Sequence, residues 1–347
     1  MKKKNLTPFL FDLIGIFAVL SLIACVRARA FQQDANSAFK YREVYLPEGI
    51  GKNANQLGLN SLEEDWGIWG HNIRKILPAE HSESVYAKVN GTTHKNQFCF
   101  SSPRLFDYVS EFIDTRFDDS ETIRFAILPN DNDIVCLCAK CVAAGNTKKN
   151  ASPAVFNFIN KLSERFPNHI FYTSDYRTTT GLPSDSLPGN TGVIISAISY
   201  PLNPNQTPQE QKFINRINDW SENTHRILVW DYINNFDDYF TPYPVFGAMQ
   251  RRLQDYRDNH VSAIFLNGSG TDYSAMSDIK SEVLALLTAD PDINWRDSLV
   301  NKARKQYPVA GQLIADFMLA QEDFVAERNA NLPFYEGVEV ALNTYLP

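Results

Sequence analysis

The chain has 347 residues, 44% of them hydrophobic, and a formal net charge of −7. That length suits one large domain or two modest ones, and 250 residues or so is already enough for a single barrel. Lysine and arginine form a block only at the extreme N-terminus, so the charge balance argues against a nucleic-acid partner. Aromatic residues make up 12%, which a large core accounts for and which sugar-stacking surfaces also use.

Met1-Lys2-Lys3-Lys4 followed by an apolar run from Phe9 to Ala24, interrupted by Asp12, has the form of an export signal. Leu22-Ile23-Ala24-Cys25 resembles the bacterial lipobox and predicts lipidation at Cys25. Ala28-Arg29-Ala30 is a rival, ordinary cleavage site. An uncleaved anchor is the third reading, for which the run is short against the ~20 residues of a span. Residues 1–25 thus read as a signal and lipobox segment, 26–38 as a polar tether, 39–330 as one barrel domain and 331–347 as a C-terminal tail. The expected location is the cell envelope, with the membrane reached through a lipid anchor.

Strands and helices then alternate. Arg42–Leu46 reads as a first strand and Gln56–Asn60 as a short second. Trp66 to Pro78 reads as a long functional loop, and Gln97–Phe100 as the third strand. Ser102-Pro103 predicts a helix start, with Leu105, Val109, Phe112 and Ile113 on one face. Arg124–Leu128, His169–Thr173, Gly192–Ala197, Arg226–Trp230 and Ser262–Leu266 supply five more strands. Ser152-Pro153 and Thr207-Pro208 open helices between them, and further helices read at Val245–Tyr256, Ala275–Leu287 and Val309–Arg328. Eight strands mostly separated by helices predict an α/β fold, a (β/α)8 TIM-like barrel. No glycine-rich phosphate loop follows any strand, so a nucleotide-binding fold has no support.

In such a barrel the chemistry sits where strands end. Those positions hold Asn130, Asp131, Tyr176, Asp231, Tyr232 and Asn267, and His71 joins from the tryptophan-rich loop. Glycosidic cleavage needs two carboxyl groups, one acid and one nucleophile or base. Asp131 and Asp231 are the candidate catalytic pair, against the plainer reading that each closes a turn or caps a helix. Trp69 and His71 are candidates to stack on and hydrogen-bond a sugar, or else are a structural histidine beside buried tryptophans. Asn130, Tyr176, Tyr232 and Asn267 complete the candidate substrate contacts.

Cys136, Cys138 and Cys141 form C-x-C-x-x-C after the Arg124–Leu128 strand, with Cys99 on the strand before it. Neighbouring strands lie about 4.8 Å apart, so the four sulfurs can converge. The alternatives are a structural zinc site or two disulfides, both ahead of redox catalysis. No cofactor is otherwise required.

Phe39-Lys40-Tyr41-Arg42-Glu43-Val44-Tyr45, Trp69-Gly70-His71-Asn72, Phe98-Cys99-Phe100-Ser101, Asn130-Asp131-Asn132 with the cysteine motif, and Trp230-Asp231-Tyr232 through Pro244 succeed one another in that order. Together they resemble the exported bacterial domain-of-unknown-function 4838 family, which is distantly similar to α-glucuronidase-type glycoside hydrolases. The resemblance runs from about Phe39 to Arg328. It implies a glycoside-hydrolase-like barrel and polysaccharide use, and the leading reading is an envelope-anchored glycoside hydrolase acting on a complex or acidic glycan. Two departures stand against it. A small β-rich domain that often precedes the barrel in such proteins has no room here. The last strand, which commonly ends Phe-Glu-x-Gly in relatives, reads Phe265-Leu266-Asn267-Gly268. Leu266 therefore raises the alternative of a carbohydrate-binding barrel that has lost hydrolysis.

Overall fold

The computed structural model describes residues 37–346. The signal, the lipobox at Cys25 and all but the last two residues of the tether lie outside them. β1 (Tyr41–Tyr45) is followed by two short helices, α1 (Gly51–Gln56) and α2 (Leu62–Asp65), and by β2 (Trp66–Ile68). The expected second strand is therefore the end of α1 and the turn after it. The expected tryptophan-rich loop instead begins with a strand.

β3 (Tyr86–Val89) and β4 (Thr92–Phe98) form a separate antiparallel hairpin. Asn90 and Gly91 join them with φ of 51° and 81°. Positive φ at both positions of a two-residue loop is the turn that Asn-Gly favours, because its twist matches that of the strands. The expected third barrel strand is the end of this hairpin. α3 (Pro103–Arg116) starts where Ser102 accepts the Leu105 amide.

From there the pattern is regular. β5 (Arg124–Ala126), α4 (Ala139–Ala143), α5 (Ser152–Arg165), β6 (Ile170–Asp175), β7 (Thr191–Ser196), α6 (Pro208–Ser221), β8 (Ile227–Tyr232), α7 (Phe246–Asp258) and β9 (Ala263–Asn267) come in that order. Thr207 and Glu210 close a reciprocal capping box at α6. α8 (Ser277–Ala289), α9 (Trp295–Gln306), α10 (Gly311–Arg328) and α11 (Val338–Tyr345) complete the chain. Among the described residues no helix is long and apolar enough to cross a membrane.

Seven strands form one parallel sheet in the order β1-β9-β8-β7-β6-β5-β2. The sheet curls until its edges approach: Tyr41 of β1 meets Trp66 of β2 with ring centroids 6.0 Å apart. The Arg124 guanidinium of β5 lies 5.3 Å from the same Tyr41 ring. No ladder joins β1 to β2 among the described residues. The fold is thus a curled, barrel-like α/β sheet, and the closed ring of eight paired strands expected from the sequence is not formed. The reason is local. Trp66–Ile68 is too short, with a glycine at its centre, to read as a strand, while two segments counted as barrel strands belong to a helical turn and the hairpin.

Strand residues alternate between two environments, as the pleat requires. Tyr41, Trp66, Ala126, Leu128, Tyr172, Ile194, Leu228 and Phe265 pack inside the curl. Val44, Val193, Ile195, Val229, Ile264 and Leu266 face the helices. The inside is a packed core, in which bulky residues lie against small ones. A Cβ at Gly192 of β7 would come within 2.6 Å of the Tyr172 ring. Each buried side chain of this size contributes about 1.5–3 kcal/mol, so an empty bore would forfeit much of the fold's stability. The C-terminal tail packs on the domain: Leu332, Phe334, Ala341 and Tyr345 are buried, and Leu332 bridges to Leu202.

Candidate functional site

Space opens where the inward-facing residues reach the carboxyl ends of the strands. A cavity of about 210 Å³ lies there. β6 contributes Ser174 and, just beyond it, Tyr176. β7 contributes Ser196, β8 Trp230 and Tyr232, and β9 Asn267. Asp131 enters from the loop after β5, and His71 and Tyr335 complete the wall. A second cavity of about 280 Å³ adjoins it, sharing Tyr176, Ser196 and Ile198 and reaching Arg177 and Arg216.

Hydrogen bonds fix several of these groups. The His71 ring donates from Nδ1 to the Pro129 carbonyl, which can only accept. With Nδ1 carrying the proton, a neutral His71 keeps Nε2 as an acceptor. Tyr232 and Ser196 share a hydroxyl contact of 3.3 Å. Burial pushes the Tyr232 phenol well above its ordinary range, with Ser196 partly offsetting it, so Tyr232 stays a neutral donor. Asp131 is half exposed and sits 3.3 Å from the Arg177 guanidinium, which also holds Asp133 at 3.1 Å. Arg177 does this from a left-handed backbone conformation, φ 48°, an uncommon state for a side chain of its size.

Asp231 is elsewhere. Trp230 and Tyr232 point into the cavity, and the residue between them must point to the helices. Asp231 is 0% exposed. Its carboxylate accepts from Arg252 at 3.1 and 3.2 Å and from the Tyr256 hydroxyl at 2.6 Å. Arg252 also donates to Glu210 at 3.0 Å and to the carbonyls of Tyr200 and Pro201. Burial opposes the Arg252 charge, yet Asp231, Tyr256 and Glu210 together hold its pKa above the ordinary range. Asp231 therefore ties β8 to α7 and α6, and the expected catalytic pair does not share a cavity.

The other expected contacts divide. His71, Asp131, Tyr176, Tyr232 and Asn267 line the cavity. Trp69 does not. It stacks on Trp230 at 5.1 Å and 12°, and abuts Phe265 at 4.8 Å and Trp66 at 4.5 Å, inside the aromatic core. Asn130 is structural as well: its side chain donates to the Asn96 carbonyl at 2.7 Å, and its backbone pairs with Gln97. Leu266 is buried against the helices, so the departure there changes the helix-facing core, and Asn267 is its cavity-facing neighbour.

Glu43 lies among the inward positions of β1 but is 0% exposed. It accepts from the Tyr41 hydroxyl and from the Leu62 amide at 3.2 Å. Burial pushes its pKa up to about 8, with those two bonds pulling the other way. Glu43 is sealed away from the cavity wall.

Tyr335, Arg177, Ser174, Ser196 and Trp230 were not foreseen. Counting in twos back from Tyr232 would have found Trp230 and rejected Asp231. Tyr335 lies in the supposed tail, and no local pattern announces it.

The four cysteines outside the N-terminal segment converge as expected. Their sulfurs all lie within 4.8 Å of one another, and all four are free thiols, outside any disulfide.

A family model described as a domain of unknown function, DUF4838, matches residues 28–318. The chain belongs to the DUF4838 family. No curated protein matches it. Among solved structures, this DUF4838 chain is similar to a GH138 enzyme targeting pectin rhamnogalacturonan II, at 8% identity and a TM-score of 0.37. That similarity covers 64% of this chain and 33% of the enzyme, so the chain spans about a third of the enzyme's length.

Proposed function

We propose that this DUF4838 protein is a carbohydrate-binding barrel whose mouth holds a sugar unit of a complex glycan without cleaving it. The observation that carries the reading is the make-up of the cavity. Tyr176, Trp230, Tyr232 and Tyr335 offer aromatic surface, Ser174, Ser196 and Asn267 offer donors and acceptors, and one carboxylate, Asp131, lies at the rim. Aromatic faces beside a few placed polar groups suit the alternating apolar and hydroxylated surfaces of a sugar ring. About 210 Å³ is below the roughly 300–1,000 Å³ of sites for drug-sized ligands, which favours a single ring with the rest of the glycan outside.

Hydrolysis would ask for a second carboxyl group across the bond. Asp231 is committed to Arg252, and Glu43 is sealed. Among the described residues neither lysine nor arginine lines this cavity, which favours a neutral sugar over a uronate. Export and lipid anchoring at Cys25 belong to the same proposal. They rest on the basic start, the apolar run and Leu22-Ile23-Ala24-Cys25, and the mass of the mature N-terminal peptide tests them.

Calorimetric titration of the full chain with neutral and uronate-bearing oligosaccharides, with reducing ends assayed in parallel, tests the reading. Binding of a neutral glycan without release of reducing ends is expected. Turnover, or failure to bind any glycan across a broad array, overturns it.

A further inference from the structure

The geometry points to a closed structural zinc site that fastens the β3–β4 hairpin to the loop after β5. We propose that Cys99, Cys136, Cys138 and Cys141 ligate one zinc ion through four thiolates. Cys99 lies 3.6 Å from Cys141 and 3.7 Å from Cys138, sulfur to sulfur. A tetrahedral zinc with Zn–S bonds of about 2.3 Å separates its sulfurs by roughly 3.8 Å. All four sulfurs fall within 4.8 Å of one another, so one ion can reach each with small side-chain adjustments. Four protein donors leave no open coordination position, which marks a structural site and not a catalytic one.

The surroundings fit a thiolate cluster. Cys99, Cys136 and Cys141 are buried and Cys138 is half-buried. The Lys88 amide donates to the Cys136 sulfur at 3.3 Å. The Ser101 hydroxyl lies 3.2 Å from the Cys141 sulfur and donates to it once that sulfur is a thiolate. Outer hydrogen bonds of this kind orient ligands and stabilise their charge. Each thiol gives up its proton to bind, so affinity falls in acid.

The site has a mechanical consequence. Cys99 directly follows β4, and the other three ligands come after the segment that carries Asp131. Between these anchors, Gln97 bonds to Asn130 and Asn132, Asn130 and Asn132 both bond to the Asn96 carbonyl, and Leu137 donates to Lys88. Zinc would clamp this polar seam, where each neutral hydrogen bond nets only about 1 kcal/mol.

The test is a metal and thiol count on the full chain carrying Cys25→Ser, which leaves the four cluster cysteines as its only thiols, purified without chelator, alongside Cys138→Ser in the same background. One zinc per chain is expected. The four thiols should be unreactive until the protein is denatured with a chelator, and cobalt should give the visible spectrum of a tetrahedral tetrathiolate. Cys138→Ser should lose the zinc, and its melting temperature should become insensitive to chelator, while the parent's drops on chelation. If that variant fails to fold, the count on the parent chain decides alone. Absence of metal with no free thiols after denaturation would establish two disulfides and overturn the proposal. Absence of metal with four reactive thiols, unchanged by added zinc, would overturn it equally.

Discussion

Asp131 and Asp231 both come after apolar strand residues, and in the sequence they look alike. The fold sends them to opposite environments. Asp131 stands half exposed at the cavity rim, sharing Arg177 with Asp133. Asp231 is buried among Arg252, Tyr256 and Tyr232's own amide. Asp231 lies within β8 on the parity that faces the helices, because the side-chain period of a strand is two, whereas Asp131 lies in the loop beyond β5. A carboxylate within a strand is therefore a functional candidate only on the inward parity, and one in the following loop is placed by that loop.

Removing Asp231 is the sharpest test of that contrast. Asp231→Ala leaves Arg252 and Glu210 unbalanced in the interior, and breaking a buried pair costs about 3–5 kcal/mol. Urea unfolding should show a loss of that size, while glycan affinity below the midpoint stays as in the parent. An affinity loss without destabilisation would return Asp231 to the site.

Glu43 supplies the next effect. Its folded pKa, about 8, is raised above the ordinary value of 4.5. The stability it contributes is fully present below about pH 4.5 and is lost as pH rises through about 8. Glu43→Gln cannot ionise, so the parent should lose on the order of a few kcal/mol relative to it between about pH 5 and pH 8.5. The difference isolates Glu43 from two other buried groups, Glu322 and Lys280, both near 7. A pH-independent difference would mean that Glu43 titrates alike in the folded and unfolded chain, without the raised pKa.

Tyr176→Ala removes the aromatic wall shared by the two cavities. An anchor of that type is worth upwards of ~1 kcal/mol, so affinity should fall about tenfold with little change in stability. Asp131→Asn should do least. Its ion pair is exposed, and such pairs contribute about 0–1 kcal/mol. Loss of the fold in Asp131→Asn would invert the comparison between the two aspartates.

Much of this layout was legible in the chain. The apolar runs at β5–β9 stand out because parallel strands are buried on both faces. Ser102 and Thr207 mark helix starts by their capping oxygens. The polar residues that converge on one cavity, among them Tyr176 and Asn267, lie directly after apolar runs, where a strand gives way to its loop. Other features left weaker marks. β2 has three residues and a glycine at its centre, so it carries no period. Asn90-Gly91 is a hairpin signal, but the alternation flanking it is polar and mostly exposed. Tyr335 reaches the cavity through long-range packing of Phe334 against Tyr232, 5.1 Å between rings, and no local pattern encodes that. Trp69 looked like a sugar platform and is spent on Trp230. An aromatic residue near a site is as readily its foundation as its surface.

The central claim is that the barrel mouth binds a sugar and does not cut it. Titration of the parent chain and of Tyr176→Ala with one neutral oligosaccharide, with reducing ends measured in the same samples, tests it most directly. The account predicts saturable binding by the parent, about tenfold weaker binding by the variant, and no new reducing ends in either. Reducing ends released by the parent and abolished in Asp131→Asn would contradict it.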